Sequence, residues 1–298
     1  MLLNKRIPIR FLFQKIRFDL LIIFAYSLFL VFIDQFHYLQ DIEVPLFIHA
    51  ILGTTISLLL AFRTNQAYER WWEARIIWGA IVNDSRTLIR QIDEFYNEDD
   101  KSEFIRAFTY RQIAWCYSLG RKLRNLSQDD ILKNYFDDDE IVELQKYNNI
   151  PNYLLSLHSK AIRSAFIKKS FTDFQQVQLN DTLVRLCDSM GKSERIKTTV
   201  FPKTYSILLH FLIYVFATIL PFGLEHHPVI IEFSLIVTMT SIFMLIEKIA
   251  IYMQDPFENK PTDIPVTSIA NKIEQDLLEM IGEYKITSKE ENKSFYVM

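Results

Sequence analysis

Four stretches of this chain, residues 20–33, 45–62, 205–224 and 228–246, are apolar almost without interruption. A bilayer core asks for about 20 helical residues. The last two runs are long enough, the second is adequate, and the first reaches that length when Phe18 and Asp19 lie at the interface. Charge between the runs alternates in character. Lys5, Arg6, Arg10, Lys15 and Arg17 precede the first run, Arg63, Arg70 and Arg75 follow the second, and Lys248 follows the fourth, whereas residues 34–44 and 225–227 contain neither Lys nor Arg. Basic residues are retained on the cytoplasmic side of a membrane. The pattern therefore predicts four spans, about 18–33, 45–62, 205–224 and 228–246, with both termini and the long middle segment inside. The basic start imitates a signal peptide, but no small-residue cleavage site follows Ile33, so it reads as a mature first span.

Residues 73–203 contain no span and read as a helical cytosolic part. Ile105, Phe108, Cys116, Leu119 and Leu123 share one face at helical spacing. Pro151 fits the first turn of a helix running through Leu154, Ile162 and Phe166, and Gly191 reads as a stop for the helix holding Leu179, Leu183 and Leu186. After the fourth run, residues 247–298 hold another amphipathic helix, with Ile269, Ile273, Leu277 and Ile281 recurring before Gly282, and then a polar tail beyond Tyr284. With 6 glycines and 9 prolines in 298 residues, a β fold built on tight turns is disfavoured. The expected fold class is all-α, an integral membrane protein of one domain over residues 1–298.

Several functions are disfavoured. The net charge of -3 comes from interspersed signs, so no nucleic-acid partner is implied. Cys116 and Cys187 match no metal or disulfide spacing and read as reduced thiols. The acidic run 137–140 lacks the glycine turn and alternate ligands of a calcium loop and instead suits the start of a helix near Ile141. No HExxH, GxSxG or phosphate-cradling loop occurs, so neither an enzyme nor a cofactor nor a metal site is expected. A membrane-anchored scaffold or enzyme with a helical cytosolic domain stands as the reading from another class. Within the spans, His49 and His210 suit hydrogen bonds across helices or an outer vestibule, and Glu232 with Asp34, Asp41 and Glu43 forms an acidic outer rim able to concentrate cations.

The most informative stretch runs from Gly53 through Phe62 and on as Arg63-Thr64-Asn65-Gln66-Ala67-Tyr68-Glu69-Arg70-Trp71-Trp72-Glu73-Ala74-Arg75. Its first half mixes small and hydroxyl residues into an apolar helix, permitting close packing and offering hydroxyls to neighbours. Its second half is a basic, aromatic margin that by composition is an interfacial belt and anchor. This stretch resembles the segment that follows the pore-forming second helix of bacterial bestrophins. Ile7-Pro8-Ile9-Arg10, Phe201-Pro202-Lys203-Thr204-Tyr205 and Asp255-Pro256-Phe257-Glu258-Asn259 agree with that family in order, covering nearly the whole chain.

The resemblance implies a homopentamer around a central ion pathway, with a hydrophobic neck in the membrane and a second constriction at its cytosolic end. It puts the neck at Thr54, Leu58 and Phe62, of which Thr54 departs from the usual apolar residue, and the cytosolic constriction at Phe174. Arg63, Asn65, Tyr68, Glu69, Arg70, Trp71, Trp72, Glu73 and Arg75 form the signature, expected at subunit interfaces. Animal members bind calcium in an acidic clasp after a similar Pro-Phe-Gly motif, where this chain carries Lys260. It therefore looks like the bacterial branch, and the resemblance implies a multi-pass channel of the inner membrane passing monovalent cations such as Na+ or K+. Chloride conduction by the same architecture is the alternative.

Overall fold

The computed structural model describes residues 9–34, 44–199, 201–223 and 228–284, and among them every regular element is a helix. In chain order these are α1 (Ile9–Asp34), α2 (Leu46–Phe95), α3 (Lys101–Leu123), α4 (Asp129–Leu132), α5 (Asp138–Gln145), α6 (Ile150–Ile167), α7 (Asp173–Thr198), α8 (Lys203–Ile219), a 3-10 turn (Pro221–Gly223), α9 (Val229–Gln254) and α10 (Val266–Met280). They form two compact units. The apolar unit lies within Lys5–Trp71 and Val200–Asp255, and the polar unit holds Trp72–Thr199 and the chain from Pro256. All four apolar runs of the sequence fall in the first. Helix α2 contributes to both, because no proline follows Pro45 until Pro151 and nothing interrupts its 50 residues, about 75 Å at the α-helical rise.

In the apolar unit α1 and α8 each pack on α9, around a core that includes Ile23, Ile56, Leu60, Ile213, Phe216 and Ile236. Much of the remaining apolar surface is exposed in the isolated chain, including Leu21, Phe24, Leu28 and Phe32 on α1. Such surface is compatible with lipid or a neighbouring subunit as its solvent. Helices α2 and α9 are long and apolar enough to cross a membrane. Helix α8 ends at Ile219, earlier than the apolar run suggests, because Pro221 cannot continue it and a 3-10 turn follows. Helix α9 instead continues past Ile246 to Gln254, carrying Glu247 and Lys248 within it. Lys248 Nζ reaches Asp19 of α1 at 2.9 Å. His49 Nε2 lies 2.7 Å from the Ile219 carbonyl oxygen, joining α2 to the end of α8. Gly223 packs so tightly over this histidine that a Cβ there would overlap the ring.

The polar unit is arranged about α3, which packs against α4, α6, α7 and α10. Ile105, Phe108, Cys116, Leu119 and Leu123 are all buried there, as their spacing predicts. The acidic run caps α5: Asp137 Oδ1 accepts from the Glu140 backbone, and Glu140 reaches back to the Asp137 backbone. The helix thus begins at Asp138, ahead of the expected Ile141. Pro151 sits in the first turn of α6 as expected. Gly191 does not stop α7, which continues to Thr198 with Ser193 and Ile196 buried. A helical glycine costs only about 1 kcal/mol, and burial of the residues beyond it outweighs that cost. On α3, Gly120 lets Val266 of α10 approach within 3.4 Å of where a Cβ would lie.

His158 of α6 is fully buried, with its ring 4.5 Å from that of Phe108. Burial, reinforced by the nearby Arg111, holds its pKa well below the ordinary 6.5. Above about pH 6.5 the folded and unfolded chains are both neutral here. Below it the unfolded chain takes up a proton that the folded chain refuses, so stability falls with acid. Thermal midpoints measured from pH 7.5 to 5 should fall, and His158→Phe should flatten that slope. Identical slopes would assign the acid sensitivity elsewhere.

Candidate functional site

Helix α2 presents two faces within the apolar unit. Ile56, Leu60, Arg63 and Ala67, three or four residues apart, are buried. Leu59 is half-buried against the same core, and its carbonyl accepts a hydrogen bond from Tyr205 Oη at 2.9 Å. Thr54, Leu58 and Phe62 lie on another stripe at spacing four and are exposed in the isolated chain, Leu58 at 56% and Phe62 at 57%. The hydroxyls of Thr55 and Ser57 donate to the carbonyls of Ile51 and Gly53, each at 2.8 Å. These two hydroxyls are thus engaged along their own helix, where the sequence suggested that they serve neighbouring helices.

The charged margin that follows is held largely from inside the chain. Arg63, only 3% exposed, donates from Nη2 to Gln254 Oε1 at 3.2 Å and lies 4.4 Å above the Phe201 ring. Phe201, just ahead of α8, and Tyr205, in its first turn, provide an aromatic face for this cation. Glu247 of α9, 1% exposed, is its electrostatic counterpart and also bonds His210 Nε2 of α8 at 2.5 Å. Arg70 pairs with Asp255 at 3.7 Å. Within the polar unit Glu73 pairs with Arg195 at 2.9 Å. Arg63, Arg70 and Glu73, which the resemblance puts at subunit interfaces, thus each have a partner on their own chain. Asn65 Nδ2 donates to Glu69 Oε1 at 2.8 Å, one turn on along the same helix. Tyr68 stacks on Trp71, while Tyr68 and Trp72 remain exposed and Arg75 is half-buried.

Other sequence candidates are distributed elsewhere. Phe174, in the first turn of α7, is 85% exposed and so is no core aromatic. Glu232 is buried, which removes it from the solvated outer rim; Asp41 and Glu43 lie outside the described residues. Lys260 forms an ion pair with Glu258, and its backbone N–H donates to Asp263 Oδ2 at 3.1 Å. Asp263 is itself buried, and this burial raises its pKa. Among the described residues no group of three or more His, Cys, Asp or Glu is placed to hold a metal. Sequence reasoning missed Glu247, whose signal was a carboxylate at the end of an apolar run able to match an arginine at the end of another.

Three comparisons bear on this arrangement. Residues 11–279 match the family model described as Bacterial/Fungal Bestrophin protein. The Voltage-dependent anion channel-forming protein YneE of Escherichia coli (strain K12) is 30% identical over 278 residues, covering 93% of this chain and 90% of that protein. The Voltage-dependent anion channel-forming protein RSc3414 of Ralstonia nicotianae is 27% identical, covering 83% and 80%. The crystal structure of a bacterial bestrophin homolog from Klebsiella pneumoniae superposes with a TM-score of 0.82 at 26% identity, over 91% of this chain and 100% of that one.

A buried charge deprived of its partner costs up to about 3 to 5 kcal/mol. Glu247→Ala and Arg63→Ala should each lower the unfolding temperature in detergent, and the double variant should lose much less than the sum. Additive losses would mean that the two charges do not stabilise one another.

Proposed function

Because the chain belongs to the bacterial and fungal bestrophin family, we propose that it is a subunit of a homopentameric channel conducting anions through a central pore lined by α2. As a member of this family it is an ion-channel protein of a membrane and not an enzyme. The observation that carries the pore assignment is the two-faced α2: one stripe is committed to the subunit core, and the stripe of Thr54, Leu58 and Phe62 is left exposed. Five copies of Leu58 and Phe62 form stacked apolar rings that strip an ion of water without replacing its hydration shell, and so gate by dewetting. Thr54 makes the outermost ring wetter. Phe174, exposed at the start of α7, supplies the second constriction.

In this reading the chain spans an inner membrane four times, with both termini and the polar unit in the cytoplasm, and the asymmetry of Lys and Arg supports that topology. Asn65, Tyr68, Glu69, Trp71, Trp72 and Arg75 are the members of the signature assigned here to contacts between subunits. Anions are favoured over the monovalent cations implied by the sequence resemblance for two reasons. The curated relatives are named as anion channels, and Glu232, one of the carboxylates expected to attract cations at the rim, is buried.

In liposomes containing only this protein, with a chloride gradient across the membrane, the reversal potential should follow chloride. A potential that follows sodium or potassium instead would restore the cation reading. The gate is tested separately by Phe62→Ala, which should raise conductance or open probability with assembly unchanged. Leu59→Ala, from the core-facing side, should cost about 2 to 5 kcal/mol of stability and open nothing. The reverse pattern would mean that another face of α2 lines the pathway.

A further inference from the structure

Within the polar unit, two neighbouring cavities share a wall made of tyrosine and carboxylate. The larger, about 460 Å³, is bordered by Tyr117 and Asn271, and the smaller, about 240 Å³, by Tyr110 and Glu283; Tyr135 and Glu274 border both. The three rings form adjacent walls. Tyr110 stands 6.1 Å from Tyr135 at 73°, and Tyr117 lies 6.2 Å from it at 21°. At their centre the buried Glu274 carboxylate accepts hydrogen bonds from Tyr117 Oη at 2.6 Å and Tyr135 Oη at 3.0 Å. Tyr110 Oη donates to Glu283 Oε2 at 2.6 Å.

Each phenol therefore donates its O–H in a hydrogen bond to a carboxylate, which enriches the ring face in electron density and strengthens its attraction for a cation. Burial and the Glu274 charge raise the pKa values of Tyr117 and Tyr135, so both remain neutral donors at ordinary pH. Tyr117 Oη also touches the Asn271 amide, whose NH2 serves as donor to it when the amide is turned. Two arginines border the larger cavity, and each is faced by a carboxylate of its own, Arg121 by Asp130 at 3.7 Å and Arg124 by Asp263. Arg124 donates to the Ile264 carbonyl at 3.2 Å and to Thr267 Oγ1 at 2.7 Å, and Arg121 donates to the Ser127 carbonyl at 2.6 Å. At the smaller cavity the Tyr110 ring already carries a cation: Arg106 lies 5.0 Å from its centroid, donates to Tyr110 Oη at 3.1 Å and pairs with Glu283 at 2.8 Å, which leaves Tyr117 and Tyr135 as the ring walls beside Glu274.

We propose that these neighbouring cavities bind a small organic cation bearing an alkylated ammonium group, with Glu274 as its counter-ion and Tyr117 and Tyr135 as its aromatic walls. A hard metal ion is the poorer fit, since it needs six or more oxygen ligands and the Glu274 oxygens already accept phenol hydrogens. An alkylated ammonium makes no such demand: it is weakly hydrated, and it gains from ring faces and one buried negative charge together. An anion would face Glu274 and Glu283 instead.

The test is calorimetric titration of the full-length protein in detergent with tetramethylammonium chloride, against sodium chloride at equal ionic strength. Saturable binding of tetramethylammonium with none for sodium is expected. Glu274→Gln keeps the shape and removes the charge, and should weaken binding by about tenfold or more. Tyr135→Phe retains the ring and should bind within about threefold of wild type, whereas Tyr135→Leu should lose about tenfold or more. The tyrosine pair decides the matter even if Glu274→Gln fails to fold. Absence of saturable binding by wild type overturns the proposal. So does equal binding by Tyr135→Phe and Tyr135→Leu, or binding by Glu274→Gln at wild-type strength, either of which would locate the cation elsewhere, the ion pathway included.

Discussion

One uninterrupted helix has to satisfy several surroundings along its length, and the rest of the structure follows from how α2 does this. In the apolar unit its buried stripe of Ile56, Leu60, Arg63 and Ala67 belongs to the core formed with α1, α8 and α9. The 3.6-residue period then leaves a stripe of Thr54, Leu58 and Phe62 that the same chain does not cover. In the polar unit the later turns of α2 are tied by side chains: Gln112 to Ser85, Thr182 to Gln91, and Arg86 to Asp276.

Charge at the edge of the apolar core is the second constraint. Arg63 is the first residue after the second apolar run, and Glu247 the first after the fourth, yet both are buried. A lone charge in that position is costly. The helices meet so that the arginine lies over Phe201, near the carboxylate and bonded to Gln254, while His210 adds a third helix to the group. What reads along the chain as an anchor at the membrane surface is thus an internal clamp joining α2, α8 and α9. His49, against the Ile219 carbonyl and beneath Gly223, makes a comparable join between α2 and the end of α8.

The polar unit depends on a different balance. Its central helix α3 buries not only Phe108, Trp115 and Leu119 but also Thr109, Gln112 and Ser118, and His158 and Glu274 are buried beside it. A core so rich in polar groups is specific only when those groups are matched. Tyr117 and Tyr135 do this for Glu274, and Ser85 Oγ accepts from the NH2 of Gln112. The cavities next to Glu274 lie where this matching leaves space among the rings.

The sequence by itself determined the helical class, the apolar runs, the buried face of α3, the cap of α5 and the stripe spacing of Thr54, Leu58 and Phe62, because each depends on residues within a few turns of one another. The bestrophin resemblance was legible for the same reason, being carried by a continuous motif around Arg70 and three short segments in order. Tertiary structure alone decided that Glu232 is buried, that α7 runs through Gly191, and that Arg63, Arg70 and Glu73 find partners in their own chain. It also brought Glu274 between Tyr117 and Tyr135, more than a hundred residues away along the chain. These outcomes turn on which helix faces meet. Residue type and local spacing give a side chain its polarity and its position around the helix, but the energy of burying it is set by the partner that another, distant helix brings to it.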